Sequence, residues 1–139
     1  MSQPSEKLLL GAQMTQKFLG EEMLERIQET SRNDLPAQVG AEYIAEVCFS
    51  SYARPELQFK ERSLMNIAMM IALNRGPELR IHIEAGLRNG LTQEQICEAC
   101  RHAMIYCGVP AGRDALAAAS DIFAAVEARG KQGNSARLA

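Results

Sequence analysis

The sequence predicts an all-α protein, and three observations carry that reading. Stretches rich in Ala, Leu, Met, Glu and Gln, and poor in Gly and Pro, recur along the chain. No β-branched run alternates with polar residues for the length of a strand. Aromatic residues, which strands favour, make up only 5% of the chain. With 139 residues there is material for one domain. The expectation is therefore one domain over residues 1–139, a helical bundle of about six helices.

The first helical stretch runs from about Ser5 to Thr30, bent near Leu19-Gly20 because glycine weakens a helix interior. Ser31 to Pro36 reads as a polar loop closed by proline, and a second helix covers about Ala37 to Ser51. The third, about Phe59 to Asn74, is apolar nearly all round and so belongs in the middle of a larger body. Arg75-Gly76-Pro77 ends it, because Gly terminates helices and Pro can start the next. A fourth helix spans Pro77 to Arg88 and stops at Asn89-Gly90. Thr92 as N-cap, Gln95 as the reciprocal residue of a capping box, and Leu91 with Ile96 as a hydrophobic staple then start the fifth. It runs from Gln93 to Cys107 and is stopped by Gly108 and Pro110. An Ala-rich sixth helix covers about Arg113 to Arg129, and residues 130–139 are expected to be a frayed, disordered tail.

Composition narrows the function. At 47% hydrophobic and 23% charged, the chain can build a core and is not a disordered sequence. A net charge of −2 argues against an electrostatic grip on nucleic acid or an anionic membrane. The longest apolar run, Leu64 to Leu73, is interrupted by Asn66 and is too short to span a bilayer. The amino terminus lacks the basic start and cleavage pattern of a signal peptide, so a cytoplasmic protein is expected. Cysteines at 48, 97, 100 and 107 then read as free thiols. Six segments with one all-apolar helix carry more apolar surface than a lone small bundle covers, which favours a homo-oligomer.

Candidate chemistry concentrates in the fourth helix. On a helical wheel, Leu79, Ile83, Gly86 and Leu87 form the core stripe and Arg80, Glu84 and Arg88 the solvent stripe. Glu78 and His82, one turn apart, fall inside the apolar arc, where an ionisable pair is costly unless each group has a partner. The pair reads as a structural hydrogen bond, as a histidine near a subunit contact, or as a histidine acid/base oriented by a carboxylate. In the third helix, Arg62 and Asn66 share a side, and Arg62 can hold a carboxylate in bidentate fashion or simply pair with Glu61 or another subunit. In the fifth, Glu98, His102 and Tyr106 form a ladder beside a core stripe of Ile96, Ala99, Cys100, Ala103 and Cys107. That ladder can line a pocket or form a solvated shoulder.

Cys97-Glu98-Ala99-Cys100 is a CxxC, but Thr92 caps this helix, so Cys97 lies more than one turn inside and away from the dipole that activates redox thiols. There is no second CxxC or histidine pair at zinc spacing, and no glycine-rich phosphate loop, GxSxG, HExxH or EF-hand loop. No metal or cofactor is expected.

From Pro77 to Ala111 the sequence resembles the carboxymuconolactone decarboxylase family. Leu79-Arg80-Ile81-His82-Ile83 through Gly90-Leu91-Thr92 follows its LRxHIxxALxxGxT core. Glu94 to Glu98 and Tyr106-Cys107-Gly108-Val109-Pro110 follow EEIxE and YxGxP. Upstream, Arg54-Pro55-Glu56-Leu57, Lys60 to Leu64, and Leu19-Gly20 match further family elements, so the resemblance covers about residues 8 to 127. It implies an all-helical, cofactor-free, alkylhydroperoxidase D-like domain that assembles as a trimer or hexamer.

The resemblance also implies a reaction, the removal of carbon dioxide from 4-carboxymuconolactone in aromatic-compound catabolism. It assigns His82 as acid/base or oxyanion donor, Glu78 as its orienting partner and Arg62 as the carboxylate or lactone binder. Arg54, His102 and Tyr106 are implied as substrate-binding residues. Two positions depart from the family pattern. Cys48 to Tyr52, with Ser50 inside it, replaces an acidic WGE or WGD element, and Thr15 stands where an arginine is expected. These departures extend the implied reactions to another carboxylated or lactone-like substrate, or to double-bond isomerisation. The related peroxidase branch carries a CxxC ahead of its histidine; here those positions are Arg75 and Glu78, and its upstream glutamate position is Ser63. A thiol peroxidase or disulfide reductase using Cys97 and Cys100, and a non-catalytic ligand-binding oligomer, are the rival readings.

Overall fold

The computed structural model describes residues 3–139; Met1 and Ser2, on which the reading of the amino terminus partly rests, lie outside the described residues. Seven α-helices and no strand are found among the described residues. The chain divides into two compact units, one ending at Phe59 and one spanning Lys60–Ala139.

In the first unit, α1 (Glu6–Leu19) is capped by Ser5, whose hydroxyl accepts from the Leu8 amide. The expected bend is a full break: Gly20, at φ 82° and ψ 155°, leaves helical space, and α2 (Glu21–Thr30) starts afresh. α3 (Leu35–Tyr43) begins earlier than expected, because Asp34 caps it and Pro36 sits in its first turn rather than closing the loop. The expected run to Ser51 is also corrected. After Tyr43 the chain widens into a π-helical turn, Ile44–Cys48, and tightens into a 3-10 turn, Phe49–Ala53. This is a tertiary effect: a Cβ at Gly11 of α1 would lie 1.7 Å from the Ala45 carbonyl oxygen, so the two backbones touch there. Phe18, fully buried, packs edge-on against Tyr52 and Phe59 with ring centroids 4.9 and 5.5 Å away.

In the second unit, α4 (Phe59–Ala72) ends at Asn74, which takes the left-handed conformation at φ 55°. Gly76 is therefore not the terminator but the first residue of α5 (Gly76–Arg88), with Pro77 in its first turn. α6 (Gln93–Cys107) starts on the full capping box, the Gln95 amide donating to Thr92 Oγ1 at 3.1 Å and the Thr92 amide to Gln95 Oε1 at 3.0 Å. α7 (Val109–Leu138) starts earlier than expected, with Pro110 in its first turn, and residues expected to fray continue it to Leu138.

The core of this unit gathers Ile67 and Ile71 of α4, Leu79 and Ile83 of α5, Leu91, Ile96 and Cys100, and Ala115, Ala118 and Ala119 of α7. The small residues of α7 let it lie close on α6: a Cβ at Gly112 would meet Met104 Cγ at 2.3 Å and the Cys100 carbonyl oxygen at 2.8 Å. α4 does not sit in the middle. Only Ser63, Ile67 and Ile71 are buried, and Leu64, Met65, Met69 and Leu73 are exposed. The stripe expected to face solvent on α5 instead turns partly to α7, where Arg80 pairs with Asp121 at 2.9 Å and half-buried Glu84 with Arg129. Cys107, expected in the core stripe of α6, is exposed. No helix among the described residues is long and apolar enough to cross a membrane.

Candidate functional site

His82 owes its place to the register of α5. Leu79 and Ile83 lock into the core, and this turns His82 to the flank that faces Asn66 on α4. Asn66 Nδ2 lies 3.4 Å from His82 Nδ1. An amide N–H can donate only to an unprotonated ring nitrogen, so this contact goes with the tautomer that carries its hydrogen on Nε2. Burial holds the imidazole pKa below its usual value, with the Glu78 carboxylate pulling weakly the other way. Burial thus disfavours the charged ring, and with Asn66 donating, His82 accepts at Nδ1 and offers an N–H at Nε2.

Glu78 is not buried beside His82 as the helical wheel suggests. Its side chain is 42% exposed, and Oε1 accepts from Arg75 at 2.8 Å. That hydrogen bond, more than any other influence, keeps the carboxyl below its ordinary pKa. Its second oxygen, Oε2, is buried without a hydrogen-bond partner. The two positions at which the peroxidase branch carries cysteines are here joined as an ion pair. Sequence reasoning missed Arg75 as the partner of Glu78, although the i, i+3 spacing was there to read. It also missed Asn66 as the partner of His82, for which no local signal exists. Ser63, at the other peroxidase position, is fully buried and accepts from Asn89 Nδ2 at 3.2 Å.

The remaining site candidates lie elsewhere. His102 and Tyr106 line a cavity of about 540 Å³ between α4 and α6, walled chiefly by apolar side chains such as Leu64, Ala68, Leu91 and Ala103. At about 100° per residue, Leu64 and Ala68 fall on the side of α4 opposite Arg62 and Asn66. The cavity and His82 therefore occupy opposite flanks of one helix. Arg54 belongs to the first unit, where it lies 3.7 Å from Glu56. The departures from the family pattern are tied to their own helices, Thr15 Oγ1 donating to the Gly11 carbonyl at 2.8 Å and Ser50 Oγ to that of Glu46.

All four cysteines are free. Burial, with the neighbouring Cys97 adding to it, pushes the Cys100 thiol up to about 11. A thiol so hard to ionise makes a poor nucleophile at neutral pH. Among the described residues, no group of three or more His, Cys, Asp or Glu is placed to hold a metal ion.

The chain is similar to known proteins over most of its length. Residues 40–121, more than half of the chain, match the model of the carboxymuconolactone decarboxylase family. A 4-carboxymuconolactone decarboxylase of Acinetobacter baylyi is 33% identical over 114 residues, covering 81% of this chain and 84% of that protein. A nitrosuccinic acid decarboxylase of Metarhizium robertsii is 33% identical over 108 residues, covering 76% of this chain and 73% of that protein. The matched segment contains α4, α5 and α6, and with them every residue of the His82 flank. This chain belongs to the carboxymuconolactone decarboxylase family.

Proposed function

We propose that this protein is a cofactor-independent decarboxylase of a small carboxylated lactone, 4-carboxymuconolactone being the first substrate to test, in aromatic-compound catabolism. The observation that carries the reading is the half-buried His82, its charged form disfavoured by burial and its Nδ1 3.4 Å from Asn66 Nδ2, one helical turn from Arg62 on α4. Loss of carbon dioxide breaks a carbon–carbon bond and leaves its electron pair to spread into the lactone carbonyl as an enolate. A neutral imidazole with its N–H at Nε2 suits that developing oxyanion, because it donates without first losing a proton. Arg62 holds the substrate carboxylate or lactone, and a proton from solvent then returns to carbon. Glu78, tethered by Arg75, keeps one buried oxygen one helical turn from His82 and orients the imidazole or a substrate hydroxyl.

Arg54 remains a proposed substrate contact. His102 and Tyr106, also proposed as such on the family pattern, would have to act from the other flank of α4. The protein would work as a homo-oligomer, trimer or hexamer, in the cytoplasm, where four free thiols are at home. The relative named for nitrosuccinic acid favours a second substrate class, a nitro-substituted dicarboxylate whose nitro group takes up the electron pair.

The test is carbon dioxide release and absorbance change with fresh 4-carboxymuconolactone and with nitrosuccinate. His82→Ala should lose roughly 10²–10³-fold in kcat, the scale for removing one oxyanion donor. Arg62→Ala should chiefly raise KM. Full turnover by both variants would remove the site assignment, and a folded wild type inert on both substrates would remove the proposed reaction.

A further inference from the structure

Glu78 and His82 stand four residues apart on α5, the spacing at which a carboxylate and an imidazole ordinarily pair on a helix. Such a pair would favour the charged ring, because the anion stabilises imidazolium. Here the carboxylate goes elsewhere. Its Oε1 accepts from Arg75 Nη2 at 2.8 Å, and its Oε2 has no hydrogen-bond partner among the described residues. The ring instead has Asn66 Nδ2 3.4 Å from Nδ1, and that amide can donate only while Nδ1 is unprotonated.

Arg75 is placed to hold Glu78. Its backbone is pinned on both sides, the amide donating to the Met70 carbonyl at 2.9 Å and the carbonyl accepting from the Leu79 amide at 2.8 Å. Asn74, in the left-handed conformation, makes the turn that sets Arg75 just before the first residue of α5. The guanidinium stays charged at every working pH, so its claim on Glu78 does not lapse where His82 titrates. As a stabilising contact an exposed pair of this kind adds little, so what it changes is where the anion sits. The charges that α7 brings to α5, Asp121 and Arg129, are taken by Arg80 and Glu84. On α4, Arg62 lies one turn from Asn66. The charge that acts on the ring is the Glu78 carboxylate, and it favours the protonated form. We infer that Arg75 is a positioning residue for His82: it holds the Glu78 carboxylate at the start of α5, out of an ion pair with the imidazole, and so leaves the uncharged ring to Asn66. The inference rests on His82 as the reacting group of the proposed function. Of the two roles proposed there for Glu78, it gives the orienting of the ring to Asn66 and leaves Glu78 a substrate hydroxyl.

The experiment titrates the two histidines of the chain by NMR of isotope-labelled histidine, with His102→Gln assigning the signals. Arg75 and Glu78 are both well exposed, so substitutions there leave the fold intact, which helical circular dichroism checks. Arg75→Gln should free the carboxylate and raise the proton-binding constant of His82 roughly twofold, the scale of an i, i+4 pair. Glu78→Gln should lower it by a similar factor, and adding Arg75→Gln to that variant should change nothing further. Arg75→Lys, which keeps a cation for the carboxylate, should stay near the wild type. The acid limb of the kcat profile should move in the same order. An unmoved or lowered His82 constant in Arg75→Gln would overturn the assignment. So would a rise of equal size when Glu78 is already replaced, because Arg75 would then act on the ring by its own charge. The titration needs no turnover, so an inert enzyme would count against the decarboxylase proposal and not against this one.

Discussion

The same substitution at two glycines of one helix should move stability in opposite directions. Gly112 and Gly130 both lie in α7. Replacing glycine by alanine inside a helix ordinarily stabilises by about 0.8–1 kcal/mol, because less chain entropy is lost on folding. At Gly130 nothing lies within 4 Å of the added Cβ, so Gly130→Ala should gain up to about that amount. At Gly112 the Cβ would arrive 2.3 Å from Met104 Cγ and 2.8 Å from the Cys100 carbonyl oxygen. Met104 is flexible and can move aside, but the carbonyl belongs to the α6 backbone and moves only with that helix. Overpacking of this kind costs about 1–3 kcal/mol, more than the propensity gain returns. Gly112→Ala should therefore lose on the order of 1 to 2 kcal/mol net. The assay is urea unfolding followed by circular dichroism, at one fixed protein concentration because any assembly adds to apparent stability. If both variants shift the midpoint in the same direction, the close approach of α6 and α7 at Gly112 is wrong.

Three further outcomes test the site and the fold. Asn66→Asp puts a carboxylate 3.4 Å from His82 Nδ1 and favours imidazolium, so the acid limb of the kcat profile should move to higher pH. An unmoved limb would separate His82 from the reaction. In the unchanged protein His82 is held below its unfolded pKa, so the unfolded chain binds the extra proton. Its contribution to stability is thus present above the ordinary histidine pKa and declines as pH falls from there through the folded value. Thr92→Ala removes one half of the capping box at the start of α6 and should cost about 1 kcal/mol in the same urea assay. No change in midpoint would mean that the cap contributes nothing measurable.

What the sequence could tell followed from how far its signals reach. The Thr92–Gln95 box, the proline at the start of α5 and the Leu79–Ile83 stripe are encoded within about four residues, and all appear where the pattern puts them. The family resemblance was likewise legible, since its motifs lie along α4 to α6, and the comparisons bear it out. The segment after Tyr43 was not, because its widening into a π turn answers to Gly11 of α1, more than thirty residues earlier.

The site shows the same division. The sequence by itself determined the helical class and the starts of α5 and α6, and it offered His82, Glu78 and Arg62 as candidates for chemistry. Only the tertiary structure decided their partners. Asn66 reaches His82 across two helices, Arg75 takes Glu78 away from the core, and Arg129 claims Glu84 from a stripe that the wheel leaves to solvent. It also moved Cys107 from the core to the surface and put His102 and Tyr106 on the far flank of α4 from His82. The physical reason is that a helix's own sequence fixes which residues share a face, but what that face meets is set by side chains from other helices.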